Sequence, residues 1–381
     1  FDVLAELGGQ GLVVTGHDPE VPPSTDQGLL ALLGKDAMEF RLGRGLLEAL
    51  GQGLPLMPGS IVFRGNLATE QADGMLVDRR AGRIRAGVGD LLKELSDVPL
   101  IGGVRGFVYP GHEHRTVVML KGSGLSPEVS DSDPGGEAAI QRRLRVEALD
   151  GSPEAARTAA ALEDLLTIAS RVLSNHRHNE DREKKGLFPA NCIITRGAAS
   201  VGRLPQRSHS PAGSALISGC ATALGVARLV GMQAATTPEM TGNLDTDVAA
   251  KFRQALEMLK TRHFVAVHVK GTDIASHDQR PLEKRTFIER IDKELGLALR
   301  KHSEVADALR VVVSADHGTS CITGNHMTDP VPVLISTWQD ASERGRFDEE
   351  SAEHGALGLI GPGELAQILW TEHRPKVDQP G

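Results

Sequence analysis

The stretch 268–335 constrains this chain more than any other, because it sets metal-ligand chemistry at the ends of two short apolar runs. It reads His268-Val269-Lys270-Gly271-Thr272-Asp273 and reaches His277 and Asp278. An amphipathic helical pattern follows, then Val311-Val312-Val313-Ser314-Ala315-Asp316-His317. His326 and Asp329 precede a further apolar run, 331–335. The β-branched runs 264–269 and 311–313 read as short, buried, parallel strands. In an open α/β sheet, ligands gather beyond the carboxyl ends of such strands. Carboxylate with imidazole suits zinc or manganese. The fragments Asp273-x-x-x-His277 and Asp316-His317, with the lone His326, therefore predict one convergent metal site.

The 381 residues leave room for one large domain, or for a core plus a second, smaller one. A hydrophobic content of 40% supports a sizeable core, but with aromatics at 3% it must be built from Ala, Val, Leu and Ile. The net charge of −8 argues against a general nucleic-acid or membrane-surface binder. No apolar run approaches the ~20 residues of a membrane span, and no signal-peptide pattern opens the chain. Cys192, Cys220 and Cys321 are too scattered for a disulfide framework or a cysteine zinc site, so a reducing, cytoplasmic setting is expected.

Near the start, a helix tail over 1–7 and a strand over 11–15 lead to a proline-rich loop, 19–23, and then to Ser24 and Thr25. The small apolar run 28–33 suits a helix, which makes Ser24 or Thr25 its N-cap. A hydroxyl there is equally placed to act as a nucleophile, since a helix N-terminus favours phosphate; a metal would have to activate it. From 57 to 150, short alternating runs between glycine-rich turns read as a separate α+β unit. Arg64, Arg79, Arg80 and Arg83 gather there, with Asn66 close by, and guanidinium forks suit phosphate and carboxylate. A helix over 154–177 reads as the return to the core. The strand 191–197 delivers Arg196 near its end, and 212–230 and 247–259 read as helices.

These motifs resemble the cofactor-independent phosphoglycerate mutases of the archaeal type, in the alkaline phosphatase superfamily. The resemblance runs over nearly the whole chain. It includes Phe63-Arg64-Gly65-Asn66, Asp78-Arg79-Arg80-Ala81-Gly82-Arg83, Asp131-Ser132-Asp133-Pro134, Thr195-Arg196-Gly197 and the stretches 268–278 and 315–335. It implies an α/β, alkaline-phosphatase-like core with a mainly parallel sheet between helices, over 1–56 and 151–381. It implies a smaller inserted α+β lid over 57–150, and two divalent ions, manganese or zinc. By position, Asp273, His277 and His326 would hold one ion, with Asp316 and His317 on the other. Thr25 falls at the family's nucleophilic Ser, with Ser24 as the neighbouring candidate. Arg64, Asn66, Arg79, Arg80, Arg83 and Arg196 would hold the substrate, and Lys270 would stabilise the transferring charge.

The implied reaction is metal-dependent phosphoryl transfer that interconverts 3-phosphoglycerate and 2-phosphoglycerate through a hydroxyl nucleophile. The chain departs from the family where Thr25 replaces Ser and where Gly28-Leu29-Leu30 replaces Ala-His-Leu. The family's N-terminal Asp-Gly strand would lie before Phe1. A related reading is therefore a transferase that moves phosphonoformate from a CMP-activated donor onto 3-phosphoglycerate, as in phosphonate antibiotic pathways of the phosphinothricin type. Room for that nucleotide would be sought at Gly28 and Leu29. Two weaker readings are a phosphonopyruvate decarboxylase, whose chemistry needs an electron sink such as thiamine diphosphate, and a non-catalytic metal-binding relative.

Overall fold

The computed structural model describes residues 1–36, 43–135, 141–203, 213–302, 309–338 and 345–370. The chain divides into two compact units, Phe1–Arg41 with Arg207–Gly381, and Leu42–Gln206.

In the first unit, short apolar strands alternate with helices in a way that enforces parallel pairing. Ser214–Ile217, Gln233–Ala235 and Phe264–Val267 form a parallel three-stranded sheet with Ser214–Ile217 in the middle. The helices Ala221–Leu229 and Val248–Leu259 supply the crossovers that parallel strands need. The expected single helix over 212–230 is thus a buried strand followed by a helix. A four-residue apolar run gives periodicity too little length to tell the two apart.

A second sheet in this unit runs in the order Arg310–Ser314, Val331–Thr337, Gly9–Val13, Gly358–Ile360. Val331–Thr337 is antiparallel to both of its neighbours, and only Gly9–Val13 with Gly358–Ile360 is parallel. The run 311–313 therefore pairs antiparallel with its partner, against expectation. The intervening chain doubles back through the small hairpin of Gly318–Thr319 and His326–Met327 instead of crossing over through a helix. Both this strand and Phe264–Val267 are half-buried, not fully buried. The amphipathic helix between them is Pro281–Lys301, which inserts Phe287, Ala298 and Leu299 into a core shared with Phe252, Leu256 and Leu334.

The second unit is built on one long buried strand, Ile61–Glu70, antiparallel to Arg115–Lys121 on one side and to Cys192–Ser200 on the other. Against it packs the helix Pro153–Ser174, started by a Ser152 cap that accepts from the Ala155 amide at 3.1 Å and by proline at its first position. Leu162, Leu165, Leu166, Ala169 and Leu173 of this helix share a core with Val118, Leu120 and Ile193. The inserted unit therefore extends to both sides of the expected 57–150. The helix expected to return the chain to the first unit belongs to the second, because its apolar stripe matches this sheet. The strand that carries Arg196 belongs there too.

Candidate metal centre and anion cluster

The first unit brings Thr25, Lys270, Asp273, His277, His317 and His326 together. The helix Thr25–Leu32 starts with Ser24 as N-cap and Thr25 as its first residue. The Ser24 hydroxyl is committed to the helix end, 2.8 Å from Asp26 Oδ1 and 3.0 Å from Gln27 Oε1, and the Ser24 amide donates to Gln27 Oε1 at 2.9 Å. The Thr25 hydroxyl points elsewhere. Its Oγ1 accepts from Lys270 Nζ at 2.9 Å and lies 3.3 Å from His317 Nε2.

Lys270 precedes the helix Gly271–His277, which sets Asp273 and His277 one turn apart on one face. Lys270 Nζ also donates to Asp273 Oδ2 at 2.6 Å, and Thr319 Oγ1 donates to Asp273 Oδ1 at 2.8 Å. His277 Nε2 and His326 Nε2 stand 3.3 and 3.6 Å from Asp273 Oδ1, and 3.2 Å from each other. His277 Nδ1 faces the Gly324 carbonyl at 2.6 Å, and His326 Nδ1 faces the Pro23 carbonyl at 2.8 Å. A carbonyl only accepts, so both Nδ1 atoms carry protons and, in neutral rings, both Nε2 atoms present lone pairs. Two lone pairs and a carboxylate oxygen converging on one point are suited to a cation. His317 stacks on His326 at 3.8 Å, and donor atoms of Asp273, His317 and His326 all lie within 4.8 Å of one another. His317 thus reaches the group predicted around Asp273 as well as its neighbour Asp316.

Asp316 Oδ2 is buried without a hydrogen-bond partner, 3.4 Å from His317 Nε2 and 3.8 Å from His268 Nε2. Burial pushes its carboxyl up, but the His268 and His317 rings more than offset this and hold it down at about 2. Burial likewise acts on Asp273 and is outweighed by His326 and Lys270, so that carboxyl sits well below the usual range. Both carboxylates are ionised at neutral pH, as metal ligands must be. The helix Thr25–Leu32 presses on the Asp316 loop at Gly28, where a Cβ would lie 1.9 Å from the Asp316 carbonyl oxygen. Leu29 and Leu30 are buried. The room expected there for a nucleotide is filled by the backbone of Asp316.

His268 was legible as part of the opening motif but carried no assigned role. Its Nδ1 lies 2.9 Å from Ser218 Oγ, and Lys251, itself fully buried, donates to its carbonyl at 3.2 Å. Ser218 and Lys251 had no signal in the sequence. Only the pairing of Ser214–Ile217 with Phe264–Val267 sets Ser218 beside His268.

The second unit holds the arginines. Arg64 and Arg196 are directly paired across neighbouring strands, an arrangement that repels unless an anion intervenes. Burial, then Arg115, pushes Arg64 down to about 9, with Glu48 opposing and Arg196 and Arg44 adding to the fall. A guanidinium remains charged at neutral pH even so; the fall comes first from burial and then from the neighbouring arginines. The Nε atoms of Arg64 and Arg196 and the Asn66 Oδ1 are buried without hydrogen-bond partners. Arg79 is held by Asp133, with Nε at 2.8 Å from Oδ1, and Arg196 Nε stands 3.9 Å from Asp133 Oδ2. Arg80 and Arg83 lie on an exposed turn. Burial, then Arg115, Arg80, Arg64 and Arg83, drives His114 down to about 3, so that ring is neutral at pH 7. His114 and Glu48 were not singled out in the sequence.

A family model described as 2,3-bisphosphoglycerate-independent phosphoglycerate mutase matches residues 5–179. A protein of that name from Metallosphaera sedula is 38% identical over 92% of this chain and 85% of its own length. One from Ignicoccus hospitalis is 37% identical over 99% and 91%. Among solved structures, a cofactor-independent phosphoglycerate mutase from Thermoplasma acidophilum is similar at a TM-score of 0.60 and 29% identity, over 97% of this chain and 90% of that one. A Pyrococcus horikoshii protein is similar at a TM-score of 0.73 and 29% identity, over 97% and 87%.

Proposed function

The chain belongs to the 2,3-bisphosphoglycerate-independent phosphoglycerate mutase family, and we propose that it interconverts 3-phosphoglycerate and 2-phosphoglycerate through a phosphorylated Thr25. The observation that carries this reading is the Thr25 hydroxyl. It is buried at a helix N-terminus, bonded by Lys270 and within reach of His317, while Ser24 is occupied as a cap.

Two divalent ions, manganese or zinc, fit the donor set. Asp273, His277 and His326 would hold one, and Asp316 and His317, with His268 beside them, the other. The orphaned Asp316 Oδ2 and the facing Nε2 atoms of His277 and His326 support this assignment. Bound metal would supply Lewis-acid charge that favours the ionised hydroxyl and the phosphoryl oxygens.

Thr25 Oγ1 forms a bond to phosphorus as the bond from phosphorus to the C3 oxygen breaks. The proton given up by Thr25 balances the one the departing glycerate oxygen takes up. Lys270, fixed by Asp273, neutralises charge on the oxygens in flight. Return of the group to the C2 oxygen reverses these steps and regenerates Thr25. Arg64, Arg196, Arg79, Asn66 and the exposed Arg80 and Arg83 are suited to the substrate's carboxylate and phosphate. The free cysteines suit a cytoplasmic setting, and among the described residues no helix is long and apolar enough to cross a membrane.

The relatives above are named as mutases, so phosphonoformyl transfer from a CMP-linked donor draws no support from them. Phosphorus NMR tests the reading. With manganese and 3-phosphoglycerate alone, a 2-phosphoglycerate signal is expected, and a chelator should abolish it. No product until CMP-phosphonoformate is added would overturn the mutase assignment in favour of the transferase.

A further inference from the structure

Among the orphaned buried atoms of the second unit are both carboxylate oxygens of one side chain that the mutase reading leaves unused. Glu48 is 1% exposed, and neither of its carboxylate oxygens has a hydrogen-bond partner. It lies on the helix Arg44–Gln52, one turn after Gly45, which rests directly on the backbone of Phe63. Residues three apart share a helix face, so Glu48 is turned toward the strand that carries Arg64. The charge of Glu48 acts on Arg64, opposing the effect of Arg115, Arg196 and Arg44. Gln52, a turn further along, also has a buried Nε2 without a partner, as have Arg64 Nε and Asn66 Oδ1 on the strand.

The arginines ask for an acceptor, whereas Glu48 asks for a donor. A ligand that carries an anionic group and a hydroxyl close together, the chemistry of a hydroxy acid, satisfies both.

We propose that Glu48 is a specificity-determining residue that accepts a hydrogen bond from the free hydroxyl of the phosphoglycerate whose anionic groups Arg64 and Arg196 hold. The proposal rests on the mutase reading and adds a selection rule to it. A monophosphate keeps a hydroxyl to donate to Glu48. A bisphosphate has none, and sets a second phosphate against a buried carboxylate. The second unit thus selects phosphoglycerates with one oxygen still free.

The test uses the whole, metal-loaded chain, with Thr25→Ala as the common background for titrations so that binding is read without turnover. Calorimetric titrations compare 3-phosphoglycerate, its 2-deoxy analogue 3-phosphooxypropanoate, and 2,3-bisphosphoglycerate. With Glu48 in place, the protein should prefer 3-phosphoglycerate to the deoxy analogue by about tenfold or more, the worth of one hydrogen bond to a charged group. In Glu48→Gln that preference should fall to about twofold, and the affinity for 2,3-bisphosphoglycerate should rise relative to 3-phosphoglycerate. The variant should still unfold in one cooperative thermal transition, since Glu48 makes no hydrogen bond that the amide would break. Unchanged ligand ratios in a folded Glu48→Gln protein would overturn the proposal, as would a variant that loses stability and all binding together, which marks a structural role. If the unaltered protein makes 2-phosphoglycerate and the ratios do not move, Glu48 alone is misassigned. If it neither binds nor turns over 3-phosphoglycerate, the mutase reading falls and this proposal with it.

Discussion

Replacing Thr25 and Ser24 one at a time separates the chemistry of the helix start from its architecture. Ser24→Ala removes the hydroxyl that faces Asp26 and Gln27 at 2.8 and 3.0 Å but leaves the Ser24 amide bonded to Gln27. The expected result is the loss of an N-cap, about 1 kcal/mol, with turnover within about threefold of the unaltered rate, since no transition-state contact is lost. Thr25→Ala deletes the oxygen that Lys270 Nζ bonds at 2.9 Å. Lys270 keeps its 2.6 Å bond to Asp273, so the stability change is again about 1 kcal/mol. Turnover, however, should fall on the order of 10^4-fold or more, as for removal of a nucleophile. Thr25→Ser retains the oxygen and should stay within about tenfold, a difference of about 1.4 kcal/mol in the barrier. Phosphorus NMR gives the rates, and mass spectrometry of acid-quenched enzyme locates the phosphorylated peptide. If Thr25→Ala turned over normally while Ser24→Ala was dead, the hydroxyl assignment would be wrong.

Two further outcomes follow from the same loop. Gly28→Ala should destabilise the protein by about 1–3 kcal/mol through overpacking, although alanine is ordinarily the better helix residue by about 1 kcal/mol. The added Cβ would lie 1.9 Å from the Asp316 carbonyl oxygen, a backbone atom with little freedom to move. Urea unfolding checks this, and a variant as stable as the parent would refute the close approach. The second outcome concerns acid. Asp316 has a folded pKa of about 2 against an ordinary 3.8, so its contribution to stability is present in full above 3.8 and is lost as pH falls toward 2. The amount is on the order of 2 kcal/mol. In metal-stripped protein, Asp316→Asn should flatten that part of the stability–pH curve. A curve that keeps its slope would show that other carboxylates carry the acid sensitivity.

How much of this was legible in the sequence depends on how local each cause is. Asp273 and His277 are one helical turn apart, and Asp316 and His317 are adjacent, so spacing alone set each pair on one segment. The contact of Thr25 with Lys270 spans 245 residues, and it came through resemblance to a family, not through any local pattern. Ser218, Lys251 and Glu48 were invisible because their roles come from pairing or packing between distant segments. The same cause displaced the unit boundaries. The helix Pro153–Ser174 has an apolar stripe that any sheet could cover, and only the antiparallel partner Cys192–Ser200 decides which sheet does.

Gly28 shows where a residue's type misleads. A small residue in place of a larger family residue reads as added space beside the nucleophile, and space there invites a bulkier donor. In the folded protein the missing Cβ is what lets the helix that bears Thr25 rest against the carbonyl of Asp316. The substitution therefore tightens the site. A helix start bearing the proposed nucleophile and a loop bearing a proposed metal-ligand carboxylate are locked in direct backbone contact, the rigid support that a phosphoryl-transfer site requires. A larger residue at 28 would have to push the helix that bears Thr25 away from the Asp316 carbonyl.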